Sequence, residues 1–208
     1  MKEAMTLGTA GLTAGISVLR LTELVKPADG SIVVSGATGG VGTISISILK
    51  KLGYKISAIT GKEEASEYLK SLGAEDIIMR NEFMKTGDKP MAKPTFAGGI
   101  DAVGGVILQN IIKSTHPMGV VTCCGNAASP ELNLTVFPFI LRGIILIGID
   151  SQNYPMEYRE WVWEKLSAGW KPDSIKSIFT EITLDGLDEK IEMMISGKLK
   201  GRTLINME

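Results

Sequence analysis

Residues Ser31 to Gly42, Ser-Ile-Val-Val-Ser-Gly-Ala-Thr-Gly-Gly-Val-Gly, set a short β-branched apolar run directly against a glycine-rich turn. An apolar stretch with helical spacing follows at once, at Val41, Ile44, Ile48, Leu49 and Leu52. The chemistry this spacing serves is anion binding. A turn without Cβ atoms lets backbone amides approach a pyrophosphate, and the N-terminus of the following helix faces the charge. Gly42 lets that helix pack close to the sheet. The strand before the glycines and the helix after them give a short motif its meaning, which is a dinucleotide-binding βα turn.

About 20 residues past the glycines an NAD-binding chain usually carries an acid for the ribose 2′-hydroxyl. Here that place holds Thr60-Gly61-Lys62, a hydroxyl, a flexible glycine and a cation. Such a set can hydrogen-bond and neutralise a 2′-phosphate, which favours NADPH over NADH. The neighbouring Glu63-Glu64 pair suits the first turn of a helix. Arg142 lies in an apolar stretch, where a buried guanidinium needs partners. It is expected to orient the loop before the sixth strand. Other reactive groups are scarce. Cys123 and Cys124 are adjacent in a strand pattern, so they point to opposite faces and cannot chelate one metal together. His116 is the single histidine, and no Cys-x-x-Cys accompanies it.

The elements that must position these residues alternate between strand and helix patterns, which predicts a parallel sheet covered on both faces. A helix is expected at Thr9 to Leu24. Strands are expected at Ile32 to Ser35, Lys55 to Ile59, Asp76 to Met79, Ile100 to Val103, Gly119 to Cys123 and Ile144 to Ile149. Helices at Val41 to Leu52, Glu64 to Leu72 and Val106 to Lys113 fill the gaps, giving a six-stranded doubly wound Rossmann sheet. Past residue 153 come a Trp-rich helix (Glu157 to Ser167), a strand (Phe179 to Leu184), a helix (Leu187 to Ser196) and a closing strand (Arg202 to Ile205). This divides the chain into a cofactor domain at residues 1–153 and a C-terminal segment at 154–208. Thr86 to Ala97, with its Gly, Lys and two prolines, reads as the flexible segment.

With 208 residues, 44% of them hydrophobic, the chain can bury a sizeable core. A net charge of -1 gives no general attraction to nucleic acid or anionic lipid. No apolar run reads as a membrane span, and Met-Lys-Glu-Ala-Met is no signal peptide. A cytoplasmic protein with reduced thiols is expected.

Five segments carry a family resemblance. They are Gly8-Thr9-Ala10-Gly11-Leu12-Thr13-Ala14, Ser35-Gly36-Ala37-Thr38-Gly39-Gly40-Val41-Gly42, Gly99-Ile100-Asp101-Ala102-Val103-Gly104-Gly105, Pro138-Phe139-Ile140-Leu141-Arg142-Gly143 and Gly148-Ile149-Asp150-Ser151. Together they resemble the medium-chain dehydrogenase/reductase superfamily, in its zinc-free quinone-oxidoreductase group of the acryloyl-CoA reductase type. Ala37 stands at the first fingerprint position in place of Gly, which that group tolerates. The resemblance runs over essentially the whole chain and implies an NADPH-dependent reductase acting on a small-molecule acceptor with an activated carbon-carbon double bond. It places Thr9 and Val41 beside the nicotinamide, and Thr38, Gly39, Gly40 and Val41 at the pyrophosphate. Thr60, Gly61 and Lys62 fall at the 2′-phosphate, Arg80 near the adenine, and Gly125, Leu141 and Ser151 around the nicotinamide half.

Members of that superfamily carry a GroES-like catalytic domain ahead of the cofactor domain, and this sequence resembles the cofactor domain and the C-terminal tail. No catalytic acid can be named from these residues. The chain alone is accordingly expected to bind NADPH but to reduce acceptors only at a trace rate. A homodimer is expected through the apolar strand Ile144 to Ile149, whose free edge favours association. Two other readings stay open. Gly36-Ala37-Thr38-Gly39-x-x-Gly42 also fits a short-chain dehydrogenase, although no Tyr-x-x-x-Lys pair is present. A nucleotide-binding or redox-sensing module without catalysis is the other.

Overall fold

The computed structural model describes residues 1–85, 89–173 and 175–207. Its first helix, α1 (Lys2–Thr22), is buried along most of its length, and small residues let neighbours approach: the Cβ absent at Gly15 leaves room for Val162. The chain then alternates through β1 (Ile32–Val34), α2 (Gly40–Lys51), β2 (Ile56–Thr60), α3 (Ser66–Leu72), β3 (Asp76–Met79), α4 (Arg80–Met84), β4 (Phe96–Asp101), α5 (Gly105–Lys113), β5 (Thr115–Cys123), α6 (Phe137–Arg142) and β6 (Ile145–Gly148). All six strands are parallel in the order β3-β2-β1-β4-β5-β6. This is the Rossmann order, with its reversal between β1 and β4.

The period of two along each strand divides the core. Ile32 and Val34 face the cluster built on α1 and α2, while Val33 faces the one built on α5. Gly98 and Gly99 of β4 have no side chains because Val120 O and Ile111 Cγ2 occupy those places. That explains a displaced boundary. The sequence places the fourth strand at Ile100 to Val103, but it runs Phe96–Asp101, because glycines depress strand propensity even where packing requires them.

Other boundaries shift as well. The first helix begins at Lys2 and not Thr9, since Gly8 breaks its geometry (φ 47°, ψ -148°) without ending it. The short helices α4 and α6 are not evident in the sequence pattern, and Arg80 opens α4 instead of merely ending a strand. Of the segment Thr86 to Ala97, residues 86–88 lie outside those described, and Phe96 and Ala97 are buried in β4. By length and composition α1 is apolar enough to cross a membrane, contrary to the sequence reading, yet 67% of that stretch is buried inside the domain.

Beyond β6, α7 (Met156–Ser167) packs on α1 through Val162 and Leu166. Trp161 stacks edge-on to Trp170 at 6.0 Å and lies under the Lys165 ammonium. Then β7 (Phe179–Ile182), α8 (Leu187–Ile195) and β8 (Arg202–Ile205) form a separate two-stranded parallel sheet beside α1.

Arg142 ends α6 and donates to three carbonyls: Nη1 to Lys113 O (2.8 Å) and Thr115 O (3.1 Å), and Nη2 to Ala92 O (2.6 Å). It fastens the loop before β6 to the entries of β4 and β5. Arg142→Ala is expected to lower unfolding free energy by about 2–4 kcal/mol, with Arg142→Lys recovering only part because an ammonium lacks the planar fork. Urea denaturation measures this, and a loss for Arg142→Ala below about 0.5 kcal/mol, the level of an ordinary surface change, would refute the clamp.

Candidate dinucleotide site at the sheet crossover

At the reversal point the chain leaves β1 through Ser35 and turns at Gly36, whose φ of 57° suits a residue without a side chain. Gly39 N–H donates to Gly36 O at 2.8 Å, closing the turn, and α2 starts at Gly40. A Cβ at Gly42 would run into Gly36 O and lie 2.7 Å from Ala37 Cα. The helix start therefore presses directly on the turn. The first-turn amides of α2 have no partners within the helix and point into the crevice between β1 and β4.

Asp101, at the end of β4, holds the crevice floor. Its carboxylate is fully buried and accepts from Ser35 Oγ (2.6 Å), Gly104 N (2.8 Å) and Val103 N (3.2 Å). Ser35 Oγ in turn accepts from Ala102 N at 3.1 Å. The two loops at the crossover are thus tied together, with Val103 over Gly36 at 3.2 Å from where a Cβ would be. Sequence reading had no reason to single out Asp101 beyond its place in a motif.

Two adjoining cavities of about 410 and 520 Å³ occupy the crevice. Thr38, Gly39, Gly40 and Val41 line the end at the α2 N-terminus; Thr60, Gly61, Lys62, Glu64 and Arg80 line the other. Residues 196–203, running from the end of α8 into β8, roof both. Gly201 N donates to Thr38 O at 2.8 Å. The Lys62 ammonium donates to Thr38 Oγ1 at 3.2 Å and to Leu199 O. Burial pushes the Lys62 pKa down, against the raising effect of Glu64.

Arg202 is the residue sequence reasoning missed. Its Nε donates to Thr6 O at 3.2 Å, a carbonyl just before the helix break at Gly8, and its Nη atoms reach beside Gly8 and Gly40. A guanidinium therefore stands at the N-terminus of α2. Contacts between segments far apart in sequence, Arg202 with Thr6 and Gly201 with Thr38, place it there, so no local pattern could have found it.

The remaining expected site residues lie outside both cavities. Thr9 and Ser151 are joined through Thr13, whose Oγ1 is 2.8 Å from both Thr9 O and Ser151 Oγ. Gly125 packs against Ala102, where a Cβ would meet its carbonyl at 2.5 Å. Leu141 is 62% exposed on α6. Burial raises both thiol pKa values, that of Cys124 to about 12, with Asp101 adding to the effect, so neither is a ready nucleophile. Among the described residues no group of three or more His, Cys, Asp or Glu is arranged to hold a metal.

A parallel sheet in this order, with a glycine cradle at a helix N-terminus in its crossover, defines a dinucleotide-binding domain. Residues 40–168 match the model for zinc-binding dehydrogenases. The chain belongs to that family, within the medium-chain dehydrogenase/reductase superfamily. It is 40% identical over 209 positions to YhfP of Bacillus subtilis, whose name is that of a quinone oxidoreductase, and 36% identical over 207 to the acrylyl-CoA reductase AcuI of Ruegeria pomeroyi. The crystal structure of B. subtilis YhfP with NAD bound superposes with a TM-score of 0.94, as does the YhdH oxidoreductase of Salmonella enterica in complex with NADP, at 39% identity. Each match covers at least 99% of this chain and 63% of the relative, so the chain spans less than two thirds of their length.

The Asp101 clamp has a pH signature. Desolvation raises its pKa against the lowering pull of the bonds from Ser35, Gly104 and Val103. A carboxyl raised in the folded state favours the fold below its ordinary value of about 4, and that contribution fades as pH rises through the folded value. Asp101→Asn cannot titrate. Urea midpoints measured from about pH 4 to neutrality should therefore show the parent losing stability relative to the variant as pH rises; a pH-independent difference would refute the raised value.

Proposed function

We propose that this chain binds NADPH and forms the cofactor half of a reductase that transfers hydride to a carbon-carbon double bond conjugated to a carbonyl, in an enoyl-CoA, enone or quinone. The observation that carries this reading is the Arg202 guanidinium standing over Gly40 at the α2 N-terminus, opposite a second cationic end at Arg80. A cation at each end of the crevice suits the pyrophosphate and the 2′-phosphate of NADPH. The NADP bound by the Salmonella relative and the acceptor in the name of the Ruegeria relative support it.

When bound, the dinucleotide supplies the hydride. The chain's own groups bind and orient: amides of Gly40, Val41 and Gly42 together with Arg202 face the pyrophosphate, and Thr60, Gly61 and Arg80 face the 2′-phosphate. Thr9, Gly125, Leu141 and Ser151 belong in this proposal to the nicotinamide side, beyond the two cavities. The division at residue 153 gives the Rossmann unit and a C-terminal segment that roofs it. A cytoplasmic homodimer joined along Ile144 to Ile149 completes the proposal, on the grounds that β6 ends the sheet and Ile145 is 38% exposed. Light scattering at micromolar concentration tests the pairing, and a monomer refutes it.

Arg202→Gln is expected to weaken NADPH binding about tenfold or more, the effect of losing charge-assisted bonds to a phosphate. Nicotinamide fluorescence titration measures it, and an unchanged affinity would remove Arg202 from the site. For acceptors, NADPH oxidation with acryloyl-CoA, an enone and a quinone is the assay. This chain alone is expected to give a trace rate, since transfer needs the acceptor held about 3–3.5 Å from the nicotinamide. Turnover on the order of 10 per second would show that these residues hold a complete acceptor site.

A further inference from the structure

Among the described residues Asp101 is the only buried acid, and its hydrogen bonds come from neutral donors alone. A buried carboxylate without a counter-ion favours taking up a proton. The crevice lies within reach of that charge. Oδ2 accepts from the amides of Val103 and Gly104, and Val103 lines both cavities. Oδ1 meets Ser35 Oγ, and the next residue, Gly36, lines both cavities from the other strand. On β5 the titratable groups facing Asp101 are the Cys123 and Cys124 thiols, both pushed up and so neutral near pH 7. From β1 it meets Ser35, and α5 opens on Gly105, Val106 and Ile107. Lys62, Glu64, Arg80, Lys198 and Arg202 line the cavities, and none of them bonds to Asp101 or moves its titration.

We propose that Asp101 is a positioning residue whose protonation is coupled to dinucleotide binding: it holds Val103 and Ser35 in place, and it takes up a proton from solvent when the pyrophosphate arrives. The inference rests on the dinucleotide reading above and gives that same site a pH dependence. The ligand brings its negative charge to the α2 N-terminus, across Gly36 from Ser35 and Asp101, and a nearby like charge favours the neutral carboxyl. The heavy atoms keep their places. With the proton on Oδ1 the carboxyl donates to Ser35 Oγ, which still accepts from Ala102 N at 3.1 Å, while Oδ2 still accepts from Val103 N and Gly104 N. Protonation therefore changes the charge beneath the site and not its shape. Burial already raises the Asp101 pKa against the bonds from Ser35, Gly104 and Val103, which brings the uptake closer to neutral pH.

The test is isothermal titration calorimetry of NADP against the parent, Asp101→Asn and Ser35→Ala from about pH 5 to about pH 9, in buffers of different ionisation enthalpy so that protons taken up are counted. Asp101→Asn keeps the bonds, its amide donating to Ser35 Oγ and its carbonyl accepting from Val103 and Gly104, but it cannot take up a proton. Protons bound by the ligand's own phosphates cancel between the two. The parent and Asp101→Asn are expected to converge in affinity toward the acid end, and the parent to become about tenfold the weaker as pH rises, the equivalent of a rise of about one pKa unit on binding. The parent's proton uptake is expected to exceed that of Asp101→Asn and to peak within that window. Ser35→Ala, which takes a donor from the charged carboxylate, is expected to move the peak to higher pH. A variant with a damaged fold would instead bind more weakly at every pH, and the parent's proton count needs no variant. Equal proton counts with parallel pH profiles in parent and Asp101→Asn would overturn the coupling and leave the dinucleotide reading standing. A parent that binds no dinucleotide at any pH would overturn both.

Discussion

The missing Cβ at Gly42 is the constraint from which the crevice follows. Any side chain there would take the space of the Gly36 carbonyl, and α2 would have to move away from the turn. With the helix pressed home, its amides and positive end face the gap between β1 and β4. Asp101 completes the arrangement from the other strand by bonding to Ser35 and to the amides of Val103 and Gly104. The floor is therefore two loops joined by one buried carboxylate, and its width is set by Val103 lying over Gly36.

Above this floor, the C-terminal segment does more than cover apolar surface. Gly201 donates to Thr38, Leu199 accepts from Lys62, and Arg202 meets the backbone of α1 at Thr6. The break at Gly8 follows that contact directly and divides α1 into two pieces. Such a break, in a helix otherwise built for packing, gives a guanidinium from a distant strand its place beside Gly40.

Much of this was legible locally. The glycine turn, its strand and its helix lie within one continuous stretch, so periodicity and residue type suffice, and the six strands with α2, α3 and α5 follow the same logic. Strand β4 was displaced because the glycines that make room for Val120 O and Ile111 look locally like a turn. The helix α6 was missed because six residues opening on Phe137-Pro138 carry too little period to register. At the site, Lys62 was read from its place after a strand, and nothing local reveals that Leu199 occupies its ammonium. Arg202 was invisible for the same reason: its role is defined by residues at the opposite end of the chain.

The bond between Arg202 and Thr6 spans 196 positions of sequence. Closing so long a loop is slow relative to forming a helix or a turn, because the ordering of the intervening chain must come before the contact rewards it. The floor closes a shorter loop, since Ser35 and Asp101 lie 66 positions apart. The anion-facing amides of α2 belong to one continuous stretch of sequence, whereas the Arg202 guanidinium joins them only through long-range contacts.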